Sequence, residues 1–229
     1  MRTIFISGAT GNLGRAVVRR FIDSGDKIYG TLLPGEALPE GLVNDHFIPV
    51  TVDLNDASAA ELAIHDIIST QGSVDVAVLT AGGFTMGDIG ATSSKDLLAQ
   101  IRLNVETAYH AARPIFLNML SNGSGRIFMV GSRPGLDMKN SGGMVAYGLS
   151  KSLIFRLAEL MNDEARGKNV VTAVIVPSII DTLQNRKSMP DADFSKWITP
   201  EAIAELVHYH ASEKASALKE TVLKIYGGS

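Results

Sequence analysis

Short runs rich in β-branched and aromatic residues alternate with longer stretches of helical periodicity along the whole of this chain. That alternation is the signature of βαβ units, which pair their strands in parallel beneath crossover helices. The runs predicted as strands are Thr3–Ser7, Lys27–Leu32, Phe47–Val52, Val74–Thr80, Arg126–Val130, Val170–Val176 and Thr221–Ile225. Helical patterns fill five of the connections, near Leu13–Asp23, Ala57–Thr70, Lys95–Leu120, Val145–Arg166 and Pro200–Ala211. The remaining connection, Leu33–His46, holds two prolines and two glycines and is expected to be loop or a broken turn. Thr199-Pro200-Glu201 marks a helix start: a hydroxyl cap, a proline whose missing N–H costs nothing, and an acid in the first turn. Pro114 falls inside the long helical pattern Lys95–Leu120, where it should bend or end the regular turn.

With 229 residues and no linker, internal repeat or low-complexity tract, the chain reads as one domain, 1–229, built on a doubly wound seven-stranded parallel sheet with helices on both faces. An apolar content of 45% supplies a large core and excludes disorder. The absence of cysteine excludes a disulfide framework, a thiolate nucleophile and thiolate-bound zinc, and a net charge of −3 lacks the basic excess of nucleic-acid binders. Met1-Arg2-Thr3 leads into a short apolar run rather than a signal peptide, and no run approaches the ~18 apolar residues of a membrane span. The expectation is a cytoplasmic protein with a small-molecule substrate and no nucleic-acid or membrane partner.

The first strand runs into Gly8-Ala9-Thr10-Gly11-Asn12-Leu13-Gly14 and then directly into a helical pattern. Strand, glycine turn and helix in that order form the phosphate-binding turn of a Rossmann fold, in which backbone N–H groups at a helix N-terminus meet a dinucleotide's pyrophosphate. The same spacing is also used for a plain tight turn, so its place on the first strand of a βα series is what favours the nucleotide. Second strands of such folds usually end on an acid for a ribose 2′-hydroxyl or a base for a 2′-phosphate. Here that strand ends in Leu32-Leu33-Pro34, so NAD and NADP stay equally open; Glu36 and Arg15 are the nearest charged candidates.

Tyr147 and Lys151 stand four residues apart at the start of a helical pattern, hence on one face. An ammonium beside a phenol favours the phenolate, lowers its pKa and fits it to give a proton to a carbonyl. Asp53 follows the third strand, Thr80-Ala81-Gly82-Gly83 the fourth, Ser132 the fifth, and Pro177 with Thr182 the sixth, while Asn104 lies in the long helical pattern. Singly these have ordinary uses: Asp53 as a helix cap, Asn104 as a satisfied buried amide, Ser132 as a turn residue. Their joint occurrence at strand ends, where open α/β sheets bind ligands, makes coincidence a poor account.

Together with the glycine turn, this ordered set resembles the short-chain dehydrogenase/reductase family over essentially the whole chain, with Thr80 in place of an asparagine and Ser178 in place of a glycine. The resemblance implies an NAD(P)H-dependent oxidoreductase. Its cofactor would be bound by Gly8, Thr10, Asn12, Leu13, Gly14, Asp53, Leu54, Ala81, Gly82, Tyr147, Lys151, Pro177, Ile180 and Thr182, with Asp53 on the adenine ring. It implies Asn104, Ser132, Tyr147 and Lys151 as the catalytic set: Tyr147 donates the proton, Ser132 holds the substrate oxygen, Lys151 lowers the tyrosine pKa and holds the ribose, and Asn104 fixes a water between Lys151 and solvent.

The segment Asp181–Trp197, with Ala81-Gly82-Gly83 and Met144–Gly148, resembles the dihydropteridine reductase branch, which reduces quinonoid dihydropterin with NADH. That branch carries an acid where this chain has Leu33 and lacks the hydroxyl of Ser132, so it stands as the alternative. A dinucleotide-sensing protein without catalysis is the reading from another class. The histidines read as surface or packing residues: His208 and His210 diverge on a helix, and His46, His65 and His110 are isolated. Arg186 and Lys187 form a basic turn that could meet an anionic ligand. The patterns 95–120 and 145–166 are apolar over more than one stripe, with Ala108, Ala111, Ala112, Ile115, Phe116, Leu153, Ile154, Leu157 and Leu160, and the family resemblance implies a homodimer or homotetramer through them. The substrate pocket is left to the loops 83–92, 133–144 and 178–198, where Phe84, Met86, Met138, Met144, Met189 and Trp197 are candidates to roof it.

Overall fold

The computed structural model describes residues 1–139 and 141–228, and its strands fall where the β-branched runs do. They are β1 (Thr3–Ser7), β2 (Lys27–Leu32), β3 (Phe47–Thr51), β4 (Val76–Leu79), β5 (Ser124–Val130), β6 (Asn169–Pro177) and β7 (Val222–Ile225). All pair in parallel in the order β3-β2-β1-β4-β5-β6-β7. The order reverses between β1 and β4, the position where open α/β sheets form a ligand crevice beyond the strands' carboxyl ends.

Side-chain alternation divides the core into two layers. Phe5, Ala77, Leu79, Ile127 and Met129 pack on one face beneath α2 (Ala57–Gln71), α4 (Thr107–Asn122) and α6 (Val145–Glu164). Ile4, Ile6, Val76, Val78 and Phe128 pack on the other beneath α1 (Asn12–Ile22) and α8 (Pro200–His210). A sheet covered on both faces has no polar side, which is why its strands read as continuous apolar runs. Thr199 caps α8 as its sequence requires, accepting from the Ala202 N–H at 3.2 Å. The Leu33–His46 connection is loop with one 3₁₀ turn at Glu40–Leu42.

The long helical pattern Lys95–Leu120 is not one helix. It divides into α3 (Ser94–Ile101), a π-helical turn at Arg102–Glu106, and α4. The interruption does not fall at Pro114, because α4 continues through the proline to Asn122. The five apolar residues read as surplus surface on this pattern, Ala108, Ala111, Ala112, Ile115 and Phe116, all pack on the sheet; those facing outward are Leu98, Tyr109 and Leu117. Two further short helices, α5 (Arg133–Leu136) and α7 (Leu183–Ser188), lie within stretches expected to be loop. No helix among the described residues is long and apolar enough to cross a membrane.

Candidate active site

The glycine turn is built by close packing. A Cβ on Gly14 would stand 2.0 Å from the Gly8 carbonyl oxygen, and Gly8 itself has φ +62° with the Ala81 backbone 3.2 Å from its Cβ position. These two glycines let α1 start directly against β1. The turn is held from both neighbours: the Gly8 N–H donates to Thr31 Oγ1 and the Ala9 N–H to the Thr31 carbonyl, each at 3.0 Å, and the Ala81 N–H donates to Ser7 Oγ at 3.1 Å. Thr80 uses its hydroxyl to tie β4 to β1, donating to the Ser7 carbonyl at 2.6 Å. Among the described residues no side chain caps α1 at Gly11, its first turn holds no acid, and its last turn carries Arg19 and Arg20. The first-turn N–H groups are thereby left for an anion, so the residues present fit a dinucleotide's pyrophosphate.

Beyond Ala81 the chain is clamped by Asn104, which lies in the π-helical turn and is almost wholly buried. Its Oδ1 accepts from the Gly83 N–H at 3.0 Å, and its Nδ2 donates to the Gly83 carbonyl, Gln100 Oε1 and Ser150 Oγ, each at 3.1 Å. A Cβ on Gly82 would stand 2.6 Å from Asn104 Oδ1 and 3.5 Å from Lys151 Nζ. The amide therefore fixes the loop backbone directly. Asn104 makes these bonds from within the π-helical turn Arg102–Glu106, a distortion that recurs at functional sites.

Tyr147 and Lys151 share one face of α6. Lys151 is buried and its ammonium donates to the Val130 carbonyl at 2.8 Å. Burial lowers its pKa to about 8. The Tyr147 phenol is pushed above its ordinary value by burial, and a hydrogen bond from the Ser132 hydroxyl pulls it the other way. Lys151 directs its ammonium onto β5, and Ser132 is the neighbour that lowers the pKa of the phenol. Ser132 also caps α5, accepting from the Gly135 N–H at 3.2 Å.

The lysine costs stability in a way that pH reveals. Its folded pKa lies below the unfolded value, so between about 8 and 10.5 the unfolded chain binds the extra proton, and the folded state gains stability as pH rises through that window. Replacing Lys151 with methionine is expected to raise stability at neutral pH by up to about 3 kcal/mol, with the gain gone by about pH 10.5. Urea unfolding of both proteins across pH 7 to about 10.5 measures it; a gain independent of pH overturns the assignment.

The remaining cofactor candidates lie along the same sheet edge. Leu54 is buried in one cluster with Val52 and Ala60, against which Ala81 packs. Asp53 does not cap α2; Asp56 does, accepting from the Ala59 N–H at 3.0 Å, while Asp53 Oδ1 accepts from the N–H and side-chain amide of Asn55. Thr10 and Asn12 lie on the open side of the glycine turn, and Leu13 is buried beneath it. Pro177 ends β6, Ile180 pairs with Ile198, and Thr182 caps α7 by accepting from the Asn185 N–H at 3.1 Å. Ser178, standing where a glycine was expected, donates to the Tyr226 carbonyl at 2.5 Å. Glu36 accepts from the Leu33 N–H at 3.0 Å, and Arg15 donates to Asn12 Oδ1 at 3.3 Å.

Gly8, Ala81, Gly82, Asn104 and Lys151 lie side by side in one line, with Tyr147 one helical turn from Lys151. Sequence reasoning missed the supports of this line: Ser7, Thr31, Gln100 and Ser150, all buried. A buried polar residue flanking each motif was the available signal. Trp197 is buried, in contact with Phe194 and close to the Gly227 backbone, so it does not roof a pocket. Arg186 is engaged by Asp181 at 2.6 and 2.7 Å. His208 packs on Phe21 and bonds Ser24 at 2.8 Å, and among the described residues no group of three His, Asp or Glu side chains could hold a metal. A surface groove lies between Leu206 and His210 of α8 and Val222, Leu223 and Lys224 of β7.

Residues 2–193 match the family model for short chain dehydrogenase. An acetoacetyl-CoA reductase of Acinetobacter sp. is 28% identical over 242 residues, covering 99% of this chain and 97% of that protein. A cyclic-di-GMP-binding biofilm dispersal mediator protein of Escherichia coli is 27% identical over 222 residues, covering 94% of this chain and 91% of that protein. The solved structure of ElxO with NADP bound has the same fold, with a TM-score of 0.89 at 21% identity over 99% of this chain and 98% of that one.

Proposed function

The chain belongs to the short-chain dehydrogenase family, and from that premise we propose that it transfers hydride between a nicotinamide dinucleotide and a small-molecule carbonyl, with Tyr147 as proton donor. The observation that carries this reading is the half-buried Tyr147, whose phenol is influenced by the Ser132 hydroxyl, one helical turn from Lys151, which lies beside Gly82. When bound, NAD(P)H supplies the hydride. Tyr147 gives its proton to the oxygen on which charge develops, and the Ser132 hydroxyl transfers its hydrogen bond from the phenol to that same oxygen. Lys151 holds the ribose and keeps a cation beside the phenolate that results. Asn104 keeps the Gly82-Gly83 backbone in place beneath the site. Gly8, Thr10, Asn12, Leu13 and Gly14 hold the pyrophosphate, Asp53 and Leu54 the adenine, and Ala81, Pro177, Ile180 and Thr182 the nicotinamide end.

The test is loss of nicotinamide absorbance with NADH and with NADPH against ketones, an acetoacetyl thioester and quinonoid dihydropterin. Turnover of a ketone or the thioester is expected. Turnover of the pterin alone would replace the carbonyl with a C=N substrate, and tight cofactor binding without any turnover would make the chain a dinucleotide sensor and end the catalytic reading.

The outward apolar residues Leu98, Tyr109 and Leu117 of α3 and α4, and Leu149, Leu153 and Leu160 of α6, support a homodimer, or a homotetramer containing it. Sedimentation of the free protein is expected to give twice or four times the chain mass of 24.4 kDa; a monomer at micromolar concentration contradicts it.

A further inference from the structure

We propose that the body of the substrate, the part extending away from the reacting carbonyl, is uncharged and apolar and is held by Phe84, Met86 and Met138. The inference rests on the carbonyl reading above and adds to it the chemistry of what the carbonyl is attached to. Phe84 follows the clamped Gly83, and its ring meets the Tyr147 ring edge to face, 4.8 Å apart at 83°. The proton donor therefore has an aromatic wall, yet that wall is 57% exposed. Met138 approaches from the next loop: a Cβ on Gly148, directly after Tyr147, would lie 3.5 Å from its sulfur. Met86 closes the third side, with its methyl 3.5 Å from the Cβ position of Gly143.

Two of these loops are stitched into one surface. The Gly87 N–H donates to the Gly143 carbonyl at 2.7 Å and the Val145 N–H to the Gly87 carbonyl at 3.0 Å, so Met86 is joined to the start of the helix that carries Tyr147. Met86 and Met138 remain 65% and 50% exposed. Three large apolar side chains left open to water around one reacting group mark a binding surface for apolar matter, and thioethers adapt to its shape.

The arginines at the same mouth are engaged elsewhere. The pocket loops carry two arginines. Arg186 is paired with Asp181 and lies over the Phe194 ring, while Arg133 lies over the Tyr226 ring at 4.9 Å. Both guanidiniums thus already face groups of the chain itself.

A homologous series of methyl ketones, from butan-2-one to decan-2-one, tests this, because the electrophilicity of the carbonyl is constant along it. Each methylene buried is expected to raise kcat/KM about two- to fourfold over at least the first few members. A carboxylate at the far end of the chain should cancel that gain. Calorimetric binding of the same ketones to Tyr147→Phe loaded with reduced cofactor gives a second readout, and its dissociation constant should fall along the series. Replacing Phe84 and Met138 together with serine should flatten both slopes. Turnover without dependence on chain length, or preference for the carboxylated chain, overturns the apolar body and leaves the reductase reading standing. Binding that tightens with length but without turnover by the unmodified protein upholds the apolar surface and overturns the reductase reading. Slopes that survive the double substitution, or no binding at any length, overturn the assignment to these residues.

Discussion

Replacing Tyr147 with phenylalanine is expected to lower kcat about a thousandfold while the cofactor dissociation constant changes less than about twofold. The substitution removes one oxygen and leaves the ring that packs edge to face on Phe84. Ser132 keeps its bond from the Gly135 N–H, so the turn after β5 stays folded and the loss falls on proton transfer alone. Burial holds the phenol above its ordinary pKa, so it is protonated throughout the neutral range and ready to give the proton in the reductive direction. Steady-state kinetics with a cofactor fluorescence titration separate the two quantities. A variant retaining more than about a tenth of the activity would remove Tyr147 from the proton transfer.

Replacing Gly14 with alanine should be nearly as damaging by an unrelated route. The new methyl would stand 2.0 Å from the Gly8 carbonyl oxygen, 2.9 Å from its carbon and 3.0 Å from Ala9 Cα, all of them backbone atoms in a tightly held turn. The strain is relieved only by moving α1 off β1, at about 2–4 kcal/mol of stability, and the displaced N–H groups would weaken cofactor binding about a hundredfold or more. Gly11 is the control. A Cβ there meets only the Gly8 carbonyl, at 3.3 Å, and its φ of −68° suits any residue, so Gly11→Ala should cost far less stability. Chemical denaturation and a cofactor titration of both variants decide; equal stability losses would mean that the packing of α1 on β1 is not what Gly14 provides.

Most of the sheet was legible because both its faces are buried, which writes each strand as an apolar run of its own. The chemistry-bearing residues were legible through their order along the chain. What stayed hidden has physical reasons. A π-helical turn uses the same residue types as a regular helix, so Arg102–Glu106 left no mark, whereas Pro114 left a conspicuous one and was accommodated. The short helices α5 and α7 were missed because Ser132, read for a substrate contact or a turn, and Thr182, read for a cofactor contact, were not read as the helix caps they are. The electrostatics of Tyr147 were assigned to Lys151 from helical spacing, which fixes the face of a side chain but not its hydrogen-bond partner.

The strand order also bears on how the chain is made. β1 lies between β2, which follows it directly in the chain, and β4, which comes two strands later, and the contact between Thr3 and Asp75 at its start spans 72 residues. On the ribosome, β1, β2 and β3 can assemble early, but the other side of β1 has nothing to pair with until β4 emerges, on the order of seconds later. During that interval Ile4, Phe5 and Ile6, all buried in the finished protein, flank an open strand edge. A nascent chain stalled before Val76 thus exposes its own central strand, and aggregation during synthesis is the hazard that accompanies a sheet begun from the middle.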